Sequence, residues 1–347
     1  MTAPTSDHRP RTWVLRADAS ALLGVGHVMR SLTLGAAARR RRWRCELWSA
    51  SLPTALRERA RGLGIVIVDV VEPPGSTTDG AALGRVDPDA VTLDGYHLGE
   101  DFMDGLGLGP FVVRIDDNGE HSQLPADTIL NQNPHAPLIE YPAPGASTLL
   151  RGLEYALIRE EIRDQRAITR SCGDSPRVAV SMGGTDPANT TALIARSLSH
   201  LSAEVGIVIG MANPRCAELR SLIGEEPALH EVTHEALPAA LADADVAVLG
   251  AGTTLWEAAC LATPVVAVIT ADNQRQLVDT DEVRSFCLTL DGSHPDLSTA
   301  VSNEVARLLN DDCRRARMAS AGESLVDGLG ADRVVRAVEA VLEGSDR

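Results

Sequence analysis

DVAVLGAGTTLWEAACLATPVVAVI, residues 245–269, places two short apolar runs on either side of a stretch with helical character. Residues 245–249 and 264–269 are dominated by Val, Leu, Ile and Ala, as strands buried on both faces are. Gly250, Ala251 and Gly252 supply a tight turn between them, and a helix starts near Thr253. Strand–helix–strand alternation of this kind argues for a parallel sheet covered on both faces.

The alternation extends outward from this stretch. Residues 177–181 and 205–209 are further strand candidates, with helices starting near Pro187, Pro214 and Leu237. In the first half, strands are expected at 12–15, 45–48, 65–68, 90–93 and 111–115, and a glycine loop at 24–26 leads into a helix from about His27. Each strand ends near Asp, Ser or Gly, as strands do when they deliver loops to one sheet edge. Residues 132–175 are irregular and rich in Pro, Gly and charge, and the interdomain connection is placed there. With 347 residues, two domains are expected, 1–160 and 161–347. Val334, Val335, Val338, Val341 and Leu342 follow helical spacing before Gly344, so the second domain is expected to end in a packing helix. The expected class is α/β, with the C-terminal ends of both sets of strands around a shared cleft, where open sheets of this kind bind ligands.

Charge and cysteine content limit the function classes. With 32 Lys and Arg against 48 Asp and Glu, the net charge is −16, which excludes a general footprint for nucleic acid or anionic membranes. A phosphate ligand would need a local device. The cations Arg39 to Arg42 and Arg44 follow an Ala-rich stretch and complement a helix C-terminus. Cysteines at 45, 172, 216, 260, 287 and 313 form no CxxC, so neither a zinc site nor a disulfide framework is expected. Residues 1–11 lack the apolar core of a signal peptide, and no apolar run approaches the ~18–20 residues of a membrane span. A soluble, cytoplasmic protein is expected.

Four loops carry candidate chemistry. Asp18 and the Gly24–Val25–Gly26–His27 turn come first. An imidazole at a helix start meets the positive end of the dipole, which favours its neutral, basic form. Arg30 stands where a dinucleotide fingerprint would continue, and the third glycine is missing. Gly183, Gly184 and Thr185 come second: their backbone N–H groups can cradle a diphosphate, or Thr185 or Asp186 can simply cap the helix near Pro187. Third, Gly252, Thr253 and Thr254 precede Glu257, one turn beyond Thr253; that carboxylate can accept from a ribose diol or merely complement the helix dipole. Asn273 and Gln274 can read sugar hydroxyls or cap a turn. Asp94, Tyr96, Asp116, Asp117 and Asn118 form a polar rim in the first half, with Asp116 and Asp117 also suited to fixing loops.

Together, GVGHVMRSLTL, LDGY, IDDNG, ILNQN, LLRGLEYALIREE, VSMGGTDPANTT and GAGTTLWEAACLATPVV with DNQ occur in the order seen in the PseG/SpsG group, and the chain resembles it over about residues 12–280. That group comprises UDP-2,4-diacetamido-2,4,6-trideoxy-altropyranose hydrolases and relatives linked to spore-coat polysaccharide. It is in turn similar to the GT-B glycosyltransferase MurG. The resemblance implies two Rossmann-like domains in a GT-B arrangement, with UDP held mainly by the second. It also implies inverting cleavage of a UDP-sugar, without metal or cofactor. His27 would be the general base and Tyr96 would orient the nucleophile; Gly26 and Asp18 would line the sugar side. Gly183, Gly184 and Thr185 would take the diphosphate, with Gly252, Thr253 and Thr254 beside it. Glu257 would take the ribose, and Asn273 and Gln274 the sugar or phosphates.

The chain departs from the group at Gly95, where the group has the histidine of a DHY segment, and at Asp116–Gly119. Both changes bear on the sugar and the nucleophile. The leading expectation is a UDP-sugar hydrolase. Its nearest alternative is transfer to a small acceptor in a natural-product pathway, as in cytosylglucuronate synthases. A 2-epimerase needs further acid–base groups around the sugar, a binding module needs no base, and a dehydrogenase needs the third glycine.

Overall fold

The computed structural model describes residues 9–20, 23–120, 123–141, 148–166, 168, 175–210 and 213–345. The leader reading at 1–8 and Cys172 lie outside them. The first sheet holds β1 (Thr12–Ala17), β2 (Arg44–Ser49), β3 (Val66–Asp69), β4 (Ala90–Asp94), β5 (Phe111–Ile115), β6 (Thr128–Asn131) and β7 (Thr148–Arg151). The second holds β8 (Arg177–Ser181), β9 (Glu204–Val208), β10 (Leu229–Val232), β11 (Val246–Gly250), β12 (Val265–Ile269) and β13 (Cys287–Asp291). Every pairing between these strands is parallel.

The orders are β3-β2-β1-β4-β5-β6-β7 and β10-β9-β8-β11-β12-β13. In each sheet the chain runs outward from a central first strand and then jumps back across it. Loops therefore diverge between β1 and β4, and between β8 and β11, and leave a crevice at each reversal. The loops after β1, β4, β8 and β11 flank these two crevices, and the Asn273–Gln274 segment follows β12.

Strands β6, β7, β10 and β13 were not expected from the sequence. The first three are only four residues long, and β13 is an edge strand in which one buried residue is followed by partly buried and exposed ones. Neither gives the continuous apolar run that marks a central parallel strand. The first core sits between β1 and the Gly26–Arg40 helix, around Trp13, Leu15, Val28 and Leu32. A Cβ on Gly35 would lie 2.6 Å from Leu15 Cδ1, so the glycine lets this helix lie directly on the strand.

The terminal helix, Gly330–Ser345, was assigned by its sequence to the second domain. It packs instead on the first. Ala331, Val334, Val335 and Val338 join the core under the Gly26–Arg40 helix, Arg40 pairs with Asp332 at 3.0 Å, and Trp43 Nε1 donates to Glu339 at 3.0 Å. Helical periodicity shows that a face will be buried but not what will cover it. Part of the Arg cluster thus serves this contact as well as the helix end. Cys45, Cys216, Cys260, Cys287 and Cys313 carry no disulfide. Among the described residues no helix is long and apolar enough to cross a membrane.

Candidate active site

His27 is the second residue of the Gly26–Arg40 helix, and Asp94 ends β4 beside Ala17 of β1. Their side chains meet, with His27 Nδ1 2.7 Å from Asp94 Oδ1. One turn along the helix, Arg30 donates from Nε to Asp94 Oδ2 and from Nη2 to Oδ1, both at 2.6 Å. Its Nη1 donates to both oxygens of Asp117, at 2.9 and 2.7 Å.

Asp94 is completely buried. Burial alone would raise its carboxyl pKa, but Arg30 and His27 outweigh it and hold the group down at about 2. An ionised Asp94 makes Nδ1 the donor, which leaves Nε2 as the nitrogen able to accept a proton. Tyr96 lies edge-on to the imidazole, with ring centroids 5.3 Å apart at 89°. Tyr96 is 44% exposed, and burial followed by Asp117 pushes the phenol pKa up.

Asp117 is itself held in place. Asn133 Nδ2 donates to its Oδ1 at 2.7 Å, Asn131 Nδ2 donates to its carbonyl at 3.1 Å, and His135 Nε2 contacts that carbonyl at 2.9 Å. Asp116 folds the adjoining turn by accepting from the N–H groups of Asn118, Gly119 and Glu120. The IDDNG and ILNQN segments thus converge on one chain of contacts, Asp117–Arg30–Asp94–His27.

Beside the start of the Gly26–Arg40 helix lies a cleft of about 90 Å³, whose lining includes Gly26 but not His27. Val25, Gly26 and Met29 line it from the first domain; Gly183, Gly184, Thr253, Thr254 and Glu257 line it from the second. Gly183 has φ +87°, in the region that favours glycine. A Cβ on Gly184 would stand 2.9 Å from Val25 Cγ2, so a glycine at this position lets the two domains touch. Glu257 accepts from Arg159 Nε at 2.6 Å and Nη2 at 2.8 Å. Arg159 immediately precedes the Glu160–Arg166 helix and is 5% exposed. Burial works against its charge, but Glu257 more than offsets this and its pKa is raised.

Other expected residues stand elsewhere. Asp18 is buried: Oδ1 accepts from Ser49 Oγ at 3.0 Å and Ala50 N at 2.6 Å, while Oδ2 meets Arg16 Nη1 at 2.8 Å and His97 Nε2 at 2.9 Å. These contacts tie the loops after β1, β2 and β4 together. Asp186 accepts from Thr190 N and Thr191 N, each at 2.8 Å, so the helix Thr190–Leu198 starts three residues beyond Pro187 with its first amides taken. A diphosphate expected at that helix end would have to use the Gly183–Gly184 loop instead. Thr185, Gly252, Asn273 and Gln274 lie on the same sheet edge but do not line this cleft, and Gln274 Oε1 accepts from Thr270 N at 2.8 Å. Where the group carries a histidine in place of Gly95, a Cβ here would lie 2.9 Å from the His97 ring.

No family model matches the chain. It is 22% identical over 207 residues to the spore coat polysaccharide biosynthesis protein SpsG of Bacillus subtilis (strain 168), over 57% of this chain and 60% of that protein. Among solved structures, MurG of Acinetobacter baumannii superposes with a TM-score of 0.66 at 16% identity, over 95% of this chain and 100% of that one. The S. aureus MnaA–UDP co-structure gives 0.65 at 11% identity, over 96% and 97%. The fold is GT-B.

The network makes a testable claim about stability. Because Asp94 is held below its unfolded value of ~3.9, its pairing stabilises the fold above about pH 4 and is lost as pH falls toward 2. The contribution is about 2 kcal/mol. Asp94→Asn should therefore melt below wild type at pH 5–7, and the two melting curves should converge near pH 2. A gap that persists unchanged at low pH would show that ionisation of Asp94 is not its source.

Proposed function

We propose that the chain is an enzyme that cleaves a UDP-sugar at its anomeric carbon, with His27 as the general base. The 2.7 Å contact from Asp94 to His27 Nδ1, beside an interdomain cleft, carries this reading. Water attacks the anomeric carbon from the face opposite the leaving group. Its proton passes to His27 Nε2, the carbon–oxygen bond to the diphosphate breaks, and UDP leaves with the bonding electrons. Loop amides of Gly183, Gly184 and Thr253 stabilise the charge that develops on the leaving group. Asp94 keeps the imidazole in the required tautomer, Arg30 holds Asp94, and Asp117 holds Arg30. The likeness to SpsG, and to an MnaA structure that contains UDP, supports a nucleotide-sugar ligand.

A second reading is transfer to a small N–H or O–H acceptor. The 44% exposure of Tyr96, whose ring lies edge-on to His27, favours it, because an exposed aromatic face beside the base can take a planar acceptor. The deciding experiment measures UDP release from a panel of UDP-sugars, with and without cytosine and other small acceptors. Release in water with free sugar formed supports hydrolysis; release only with an acceptor makes the chain a glycosyltransferase. No release from any donor would refute cleavage of UDP-sugars.

Glu257 supplies a separate test. Its bidentate pair with Arg159 uses one lone pair on each oxygen and leaves two for a ribose diol. Glu257→Ala should weaken UDP binding about 30-fold in calorimetry, on the scale of a charge-assisted pair of hydrogen bonds. Unchanged affinity would remove the residue from the ribose site.

A further inference from the structure

Ala17 of β1 is in register with Asp94 of β4, so the two side chains share the sheet face that carries His27. Arg16 and Asp18 alternate with Ala17 and belong to the other face, where Arg16 Nη2 meets Asp79 of the Thr77–Gly84 helix at 2.8 Å. On that face stands a second histidine–aspartate pair, with His97 Nε2 2.9 Å from Asp18 Oδ2. The two pairs straddle the sheet edge where the loops after β1 and β4 diverge, the place at which sheets of this kind bind ligands.

The pairs are built in opposite senses. His27 gives Nδ1 to its aspartate and keeps Nε2; His97 gives Nε2, which is closed off from solvent, and keeps Nδ1. Burial would raise the Asp18 carboxyl pKa, but His97 and Arg16 outweigh it and hold the group well below the usual carboxylate range. An ionised Asp18 draws the ring proton to Nε2, so Nδ1 is the acceptor. The His97 side chain is 28% exposed. A Cβ on Gly95 would lie 2.9 Å from its Cε1 and 3.1 Å from its Nδ1, so the lack of a side chain at 95 is what lets the ring stand there. Tyr96, between them, reaches His27, and one short loop thus serves both pairs. Holding the loops together uses only the Nε2 end of His97 and leaves Nδ1 to a ligand.

We infer that His97 is a specificity residue, its Nδ1 accepting a hydrogen bond from a hydroxyl or amide N–H on the sugar whose anomeric carbon is at His27. The inference rests on the UDP-sugar reading of the site. Two substitutions separate the ends of the ring. The amide of Gln reaches the position of Nε2 and can still donate to Asp18; the amide of Asn reaches the position of Nδ1 and can still accept from the sugar. Both are assayed on the full chain with the donor of the panel above that is cleaved fastest, and with analogues of it that each lack one hydroxyl or amide substituent. His97→Gln should lower kcat/KM for the full donor about tenfold and leave UDP affinity unchanged in calorimetry. It should cost nothing on the one analogue that lacks the group read by Nδ1. His97→Asn should recover most of the loss. If Gln is tolerated and Asn is not, His97 ties loops without reading the sugar, and the inference is overturned. A loss spread equally over every analogue, or no loss on any, overturns it as well. A wild type that binds UDP but cleaves no donor refutes cleavage and takes the role of His97 with it, a result seen before any variant is made and so distinct from failure of His97 alone.

Discussion

His27→Ala is expected to lower turnover of the UDP-sugar at least ~10³-fold while UDP affinity stays within about twofold of wild type. The split follows from the geometry. The imidazole is anchored at Nδ1 on Asp94, which leaves Nε2 for the proposed nucleophile. The cleft walls at Gly183, Gly184, Thr253 and Glu257 stand on the other domain and do not depend on it. Without the base, attacking water must form its bond while still carrying both protons, and solvent is a poor substitute acceptor. A 10³-fold loss corresponds to about 4 kcal/mol of activation free energy, within the range of a positioned general base. The loss should appear for water and for any other acceptor, because both nucleophiles must surrender a proton. A rate retained within tenfold of wild type would remove His27 as the base. A parallel loss of UDP affinity would instead make it a binding residue.

The fold was legible where burial is symmetric. PVVAVI at 264–269 and DVAVL at 245–249 read as strands because Pro264–Val268 and Val246–Leu249 are all buried, whichever face they point to. Cys287–Asp291 did not, since an edge strand covered on one face mixes exposed and buried positions. The terminal helix shows a different limit: its valines announce a buried face, but its partner lies some 300 residues earlier in the chain. The candidate site divides in the same way. His27 could be found because Gly26 and the helix start are its neighbours in sequence. Asp94 could be placed only on a polar rim, because its contact with His27 spans 67 residues and exists only once β4 pairs with β1. Arg30 looked like a break in a glycine pattern, while its guanidinium reaches carboxylates 64 and 87 residues away. Arg159 was hidden in a charged run and meets Glu257 98 residues later. Local signals mark loops and helix starts; the ion pairs that tune them come from topology.

Asp94→Asn should lower kcat by roughly 10³- to 10⁴-fold, although no atom of Asp94 is placed to touch substrate. The carboxylate is fully buried and accepts from His27 and twice from Arg30. An amide in its place offers one acceptor and one donor. Arg30 has only donors, so it draws the amide oxygen toward itself and turns the NH₂ toward His27. Nδ1 must then accept, the proton moves to Nε2, and the nitrogen facing the nucleophile can no longer take one. The same change leaves Arg30 with Asp117 as its remaining carboxylate partner, and it removes the negative charge that stabilises the imidazolium formed during reaction. UDP affinity should remain close to wild type, because this network stands apart from the glycine loops and Glu257. Asp117→Asn provides the contrast: it loosens Arg30 but leaves Asp94 ionised and His27 in the correct tautomer, so a loss near tenfold is expected. If Asp94→Asn and Asp117→Asn cost the same, the network would be merely a scaffold for the loop, and tautomer control by Asp94 would be refuted. If Asp94→Asn lowers the rate as deeply as His27→Ala, and the double variant is no worse than either, the two residues act as one catalytic unit.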